Sequence, residues 1–136
     1  MRMIIALVLY LGIGGCATLP QESQPSLKES YGIIKAGNGI FFESIDEKHF
    51  GLGLYGYKGD VRVYPGEHVI QMHYDSPGIL VHYSGSKLPL TINVKEGKRY
   101  YIGAEVTRNW GVSQSWKPIV VKEEEIEGYG KNKSNQ

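Results

Sequence analysis

Three histidines and the carboxylates around them are the residues of this chain whose types and spacing could do chemistry. His73 and His82 bracket the turn Asp75-Ser76-Pro77-Gly78. Folding the alternating run before this turn against the run after it places Met72 opposite Val81 and Tyr74 opposite Ile79. Both histidines then project from the polar face, diagonally across two strands. Diagonal neighbours lie roughly 7–8 Å apart, within reach of convergence for long side chains. With Asp75 beside them, two imidazoles and one carboxylate form a candidate set for Zn²⁺ or Cu²⁺. A fourth ligand is lacking, and ligand count is the first test of such a site. His68 instead shares a face with Ile70 and follows Pro65-Gly66. It reads either as a ligand or base, or as a half-buried ring bonded to nearby backbone that closes the Pro65-Gly66 turn; the second is preferred because buried polar groups find partners.

Other constellations are less specific. Glu43, Asp46, Asp60, Asp75 and Glu105 supply carboxylates, but their spacing pairs none of them for acid–base work. Ser84 and Ser86 neighbour His82 without a nucleophile elbow around them. The stretch Gly51-Leu52-Gly53-Leu54-Tyr55-Gly56 matches G-x-G-x-x-G formally. A dinucleotide site needs a helix after that loop; here no helical period follows, and close backbone approach is the plainer reading. Trp110, Tyr101 and Trp116 offer an aromatic surface for a glycan, peptidoglycan or protein partner. Trp116 is expected in the core. No catalytic residue is identified, and a non-enzyme is expected.

The elements that position these residues are strands. In 136 residues, 18 are glycine and 10 tyrosine, with 41% hydrophobic and 21% charged. This is a globular composition rich in turn formers and β formers. Asn38-Gly39 predicts a type I′ hairpin over residues 31–45, with Ala36 opposite Phe41 and Ile34 opposite Glu43. Leu88, Leu90, Ile92 and Val94 alternate inward, and Pro89 suggests an edge strand. Tyr100, Ile102, Ala104 and Val106 continue the core face, and a last strand from Trp116 to Val121 points Ile119 and Val121 inward. Glu123 to Glu127 reads as a solvated acidic run. About seven short strands without a helix predict an antiparallel β-sandwich over residues 31–127, with a small barrel as the alternative.

The first sixteen residues stand apart. Arg2 precedes an uncharged apolar run, Ile4 to Ile13, too short to span a bilayer, which needs about 20 residues. Charge order and position make it a secretory signal rather than a buried helix. Ile13-Gly14-Gly15-Cys16 resembles the bacterial lipobox. That resemblance implies cleavage after residue 15, a diacylglycerol on the Cys16 thiol and an acylated amine (palmitate among the fatty acids). Ala17 in second place, by the sorting rule of diderm bacteria, implies the outer membrane, with the domain facing the periplasm. Cys16 is the only cysteine, so no intramolecular disulfide exists and lipidation accounts for the thiol. Residues 16–30, polar with two prolines, read as a lipid-attached linker, and residues 128–136 as a disordered tail. Loss of Arg2 leaves 14 basic against 14 acidic side chains, no basic patch, and no case for nucleic acid.

Four short motifs run in order through the domain: Ile45-Asp46, Pro65-Gly66-Glu67-His68, Gly97-Lys98-Arg99-Tyr100 and Trp116-Lys117-Pro118. They resemble a family of small, largely uncharacterised bacterial lipoproteins, and the Pro-Gly turn with its alternating strands looks like the PEGA-type surface domain. Glu47 departs from the pattern, since relatives more often carry glycine after the aspartate. The resemblance implies an Ig-like or PEGA-like sandwich on a lipid anchor, with no catalytic activity and no cofactor. Function is thus expected to be a non-catalytic interaction or envelope-structural module, the alternative being a periplasmic ligand or metal binder using His73 and His82. The membrane is the implied partner, with an envelope protein or glycan besides.

Overall fold

A computed structural model describes residues 24–50, 56–75, 87–108 and 114–131. Among them the chain is all β, with two four-stranded sheets facing each other. The strands are β1 (Gly32–Ala36), β2 (Ile40–Ile45), β3 (Lys48–His49), β4 (Asp60–Val63), β5 (Gly66–Tyr74), β6 (Leu88–Val94), β7 (Lys98–Arg108) and β8 (Gln114–Glu125). One sheet runs β4-β1-β7-β8 and the other β3-β2-β5-β6. Period-2 alternation puts Ile34 and Ile102 of the first sheet against Ile40, Phe42, Ile70 and Met72 of the second, all with no exposed surface. Burying each such side chain is worth about 1.5–3 kcal/mol. Phe50 and Tyr57 extend this core along one side: their rings stack at 5.4 Å, and Phe50 lies 6.5 Å from Phe42. Tyr57 also exchanges both backbone hydrogen bonds with Phe42, at 2.7 and 2.8 Å.

Several expectations need correction. The turn at Asn38-Gly39 does not close a hairpin: β1 and β2 belong to opposite sheets. Gly37 donates its N–H to Ile102 O at 2.8 Å, and Asp75 donates to Gly39 O at 2.8 Å, so the turn carries the chain from one layer to the other. A Cβ on Gly39 (φ 75°) would meet the Tyr74 ring at 2.6 Å and Asp75 O at 2.7 Å, which explains the glycine. Nor is the sandwich purely antiparallel, because β1 pairs with β7 in parallel, Ile34 beside Tyr100. Met72 does not face Val81. Its two flanks are taken by Phe42 of β2 and Leu88 of β6, so β5 is a central strand. Residues 76–86, which hold Val81, lie outside the described residues.

The last strand is longer than expected and its parity differs. β8 reaches Glu125, so the acidic run forms strand pairs with Lys98 to Tyr100. Trp116, Pro118 and Val120 lie opposite Val106, Ala104 and Ile102, which puts them on the inward face. Val121 is the extra residue of a bulge and is 57% exposed, over Gly103 on the outer face. Pro89 and Pro118 both stand on the outermost strands of their sheets, β6 and β8, where a missing N–H costs no ladder bond and discourages added strands.

The domain also extends past both boundaries drawn from the sequence. Pro25 is fully buried, and the turn after it is closed by Glu29, so residues 24–30 are not free linker. At the other end Tyr129 docks edge-on against Tyr31 at 5.1 Å and donates its hydroxyl to Glu96 at 2.6 Å, so packing continues beyond residue 127.

β2 and β3 do form a tight hairpin. Its two loop residues, Asp46 (φ 49°) and Glu47 (φ 68°), are both left-handed, the pattern of a type I′ turn. Aspartate tolerates that region; glutamate gains nothing there that glycine lacks. Glu47→Gly should therefore stabilise the domain by about 1 kcal/mol, seen as a higher urea midpoint; an unchanged midpoint would mean that the Glu47 side chain contributes a compensating contact.

Candidate functional site

The left-handed turn at Asp46 aims its carboxylate back at β5. Oδ1 accepts the Val69 N–H at 2.8 Å, and Oδ2 lies 2.5 Å from His68 Nδ1. Asp46 N–H in turn donates to Val69 O at 2.9 Å. The other ring nitrogen, His68 Nε2, lies 2.5 Å from Tyr64 O. Both ring nitrogens of His68 therefore face an oxygen of the protein, a carboxylate on one side and a backbone carbonyl on the other. Partial burial pushes the Asp46 carboxyl upward, but the Val69 N–H, the His68 hydrogen bond and charge, and the Lys48 charge together hold it below its ordinary value. The result is a clamp. It ties the β2–β3 turn to the Tyr64-Pro65-Gly66 turn that starts β5, where Gly66 has φ 127°. Both nitrogens of His68 are thus engaged by protein partners, which is the arrangement of a structural ring. Two of the four sequence motifs, Ile45-Asp46 and Pro65-Gly66-Glu67-His68, thus meet in one hydrogen-bonded unit.

His73 lies five residues on and therefore on the opposite, outer face of β5. The register of β2 against β5 shifts between Phe42 and Ser44, making Glu43 the extra residue of a bulge. Bulges re-aim side chains. Here the Glu43 carboxylate takes His73 Nδ1 at 3.0 Å on one oxygen and Lys87 Nζ at 2.6 Å on the other. The His73 ring stacks on Phe41 at 5.1 Å with 7° between planes, and Lys58 stands 5.4 Å from the Phe41 ring centre. Gly56 (φ 78°) runs against the Phe42 carbonyl at a distance that leaves no room for a Cβ. This is the close approach that the glycine-rich stretch serves at its described end. A carboxylate on Nδ1 fixes the orientation of the ring, as an orienting partner of a histidine does. Nε2 of His73 has no partner among the described residues.

The remaining candidates divide. Asp75 follows His73 on the same face, with its N–H held by Gly39 O. His82, Trp110 and Cys16 lie outside the described residues. Among the described residues no three His, Cys, Asp or Glu side chains converge as a metal set. Tyr101 stands on the outer face of the other sheet. Its ring lies between two ammonium groups, Lys35 at 5.5 Å and Lys122 at 5.3 Å. Its hydroxyl donates to Glu124 at 2.6 Å. That bond, with Lys122 and Arg99 beside it, pulls the Glu124 carboxyl down to about 2. Arg99 bridges Glu124 and Asp60 at 3.6 Å each. Trp116 packs inward, 5.6 Å from Tyr74.

Sequence reasoning missed Glu43 and Glu124 as partners. Glu43 needed the bulge and Glu124 needed the full length of β8; the spacing of the residues announces neither. No family model matches the chain, and no curated protein or solved structure matches it.

The Asp46 carboxylate is lowered on folding, so its contribution is present above the unfolded value of 3.8 and is lost as pH falls through the folded one. Asp46→Asn should cost about 1–2 kcal/mol at neutral pH, discounted because the carboxylate is partly solvated. The difference from wild type should close in chemical denaturation below pH 3.8. A pH-independent difference would assign the loss to backbone strain instead of charge.

Proposed function

We propose that the chain is a bacterial lipoprotein acylated at Cys16, which presents a non-catalytic β-sandwich as an interaction or envelope-structural module. The observation that carries this reading is the arrangement around Cys16. An apolar leader ends in Ile13-Gly14-Gly15-Cys16, and a buried Pro25 of the domain follows nine residues later. Acyl chains give stable anchoring only in combination, at about 0.8 kcal/mol per buried CH₂, and lipobox processing supplies several on one residue. The motif pairs that carry the resemblance to PEGA-like lipoproteins support it further, since Asp46 and His68 need each other physically. The orientation favoured by Ala17 is periplasm-facing from the outer membrane. The Tyr101 face, an aromatic ring between two lysines, suits contact with an envelope protein or glycan. Cys16→Ser should abolish incorporation of labelled palmitate and move the protein from the membrane fraction to the soluble one; retention in the membrane fraction would sink the reading.

A ligand-binding or metal-binding role has one observation in its favour, the Glu43 carboxylate that orients His73 through Nδ1, with no partner on Nε2 among the described residues. On that reading Zn²⁺ titration of the detergent-solubilised protein gives saturable binding that His73→Ala removes. Glu43→Gln should weaken it by about 10–100-fold, as loss of an orienting partner does. Binding unchanged in His73→Ala would discard it.

A further inference from the structure

The end of the sandwich where the chain enters carries an unusual pair of exposed side chains. Leu27 and Tyr64 are 50% and 47% exposed. They belong to different segments but one surface. Ser26 N–H and the Tyr64 hydroxyl both donate to the same Glu29 oxygen, at 2.8 and 2.9 Å. Leu27 and Lys28 form the tip of the turn that this carboxylate closes. Pro65, also exposed, follows Tyr64. Val63 pairs with Gly32, so Tyr64 and the start of β1 occupy the same end of the domain. Leucine, tyrosine and lysine on one small surface is the composition of a membrane-interface contact. The aliphatic group reaches the acyl boundary, the tyrosine spans it, and the lysine meets headgroups.

The position of Cys16 supplies the second argument. From Cys16 to the buried Pro25 is nine residues, which reach at most about 30 Å when fully extended. That is no more than the length of a nine-residue strand such as β5. The end that holds Pro25 therefore stays within about 30 Å of the acylated residue, whatever path the chain takes.

We infer that this end, through Leu27, Tyr64 and Lys28, docks on the bilayer interface, so that the domain is seated on the membrane and directs its far end away from it. The inference rests on acylation of Cys16. Its occupant is a lipid surface, and recognition is interfacial, with no headgroup chemistry specified by the side chains present.

The test uses the full-length acylated protein in phosphatidylcholine vesicles, some carrying brominated acyl chains, which quench nearby indoles. Leu27→Trp and Tyr64→Trp are compared with Val121→Trp, whose side chain is exposed on the outer face of β8. Native Trp110 and Trp116 provide a common background. The added emission of Trp variants at 27 and 64 should be blue-shifted and quenched by about twofold or more, with that at 121 unaffected. Leu27→Trp keeps the Tyr64–Glu29 bond, so loss of that bond is not the cause if both respond. Vesicle-bound protein with no quenching at 27 and 64, or equal quenching at all three positions, overturns the docking while leaving the anchor intact. Failure of the wild-type protein to float with vesicles overturns the anchor itself, and the docking with it.

Discussion

Six side chains without solvent exposure hold the two sheets as one body. Ile34 and Ile102 come from one layer, and Ile40, Phe42, Ile70 and Met72 from the other. With a single cysteine in the chain, no intramolecular disulfide shares this load. Consecutive strands β1 and β2 lie in different layers, so Ile34 and Phe42 face each other across the core within ten residues of chain. Gly39 makes that crossing possible because the Tyr74 ring and the Asp75 carbonyl leave no space for a side chain there. Every other feature follows the same layering. β5 is central in its sheet because Phe42 and Leu88 both flank Met72, and β1 is central in the other because Val61 and Tyr100 both flank Ile34.

Much of this was legible where alternation is regular and long. The inward faces of β5 and β6 and the inward start of β7 follow from period-2 patterning, and Pro89 marks an outermost strand. Illegible features share a cause: local sequence sets a turn's dihedral angles but not which sheet the next strand joins. Asn38-Gly39 favours positive φ equally well in a hairpin and in a crossing between layers. Asp75-Ser76-Pro77-Gly78 suggests a reversal, yet β5 finds its partners in β2 and β6. Ile119 and Val121 read as inward from sequence because both are apolar, but pairing with β7 puts Trp116, Pro118 and Val120 on the core side, and the bulge at Val121 shifts the phase of the acidic residues that follow it. Parallel pairing of β1 with β7, more than sixty residues apart, has no local signature at all.

The two histidines of β5 show the same limit at the level of chemistry. Five residues separate them, so they must occupy opposite faces of one strand, and that much the sequence states. Their roles depend on what β2 brings to each. Opposite His68 it brings a turn whose left-handed aspartate can reach back; opposite His73 it brings a bulge that turns Glu43 toward the ring. Both pairs consist of imidazole and carboxylate, yet they are not equivalent. Tyr64 O occupies the second nitrogen of His68 and converts the pair into a brace. His73 is stacked on Phe41, and its second nitrogen has no partner among the described residues. Burial alone does not separate them, as their side chains are 13% and 16% exposed. Occupancy of the second nitrogen does.

The bracing is concentrated where the chain enters. Glu29 joins Ser26 to Tyr64, Tyr64 O joins His68 to Asp46, and Tyr129 joins Tyr31 to the Glu96-Gly97 turn. The Tyr31 carbonyl accepts from Gly97 as well. These bonds connect both extremities of the described chain to β1, β4, β5 and the β6–β7 turn. A tether attached ahead of Pro25 would pass any pull into this end first. From there it would reach β1, which is hydrogen-bonded along both flanks, to β4 and β7. Load along a strand paired on both sides must shear several ladder bonds together, whereas an outermost strand can peel one bond at a time. With β1 in the middle of its sheet, a pull applied ahead of it would be shared between its ladders to β4 and β7.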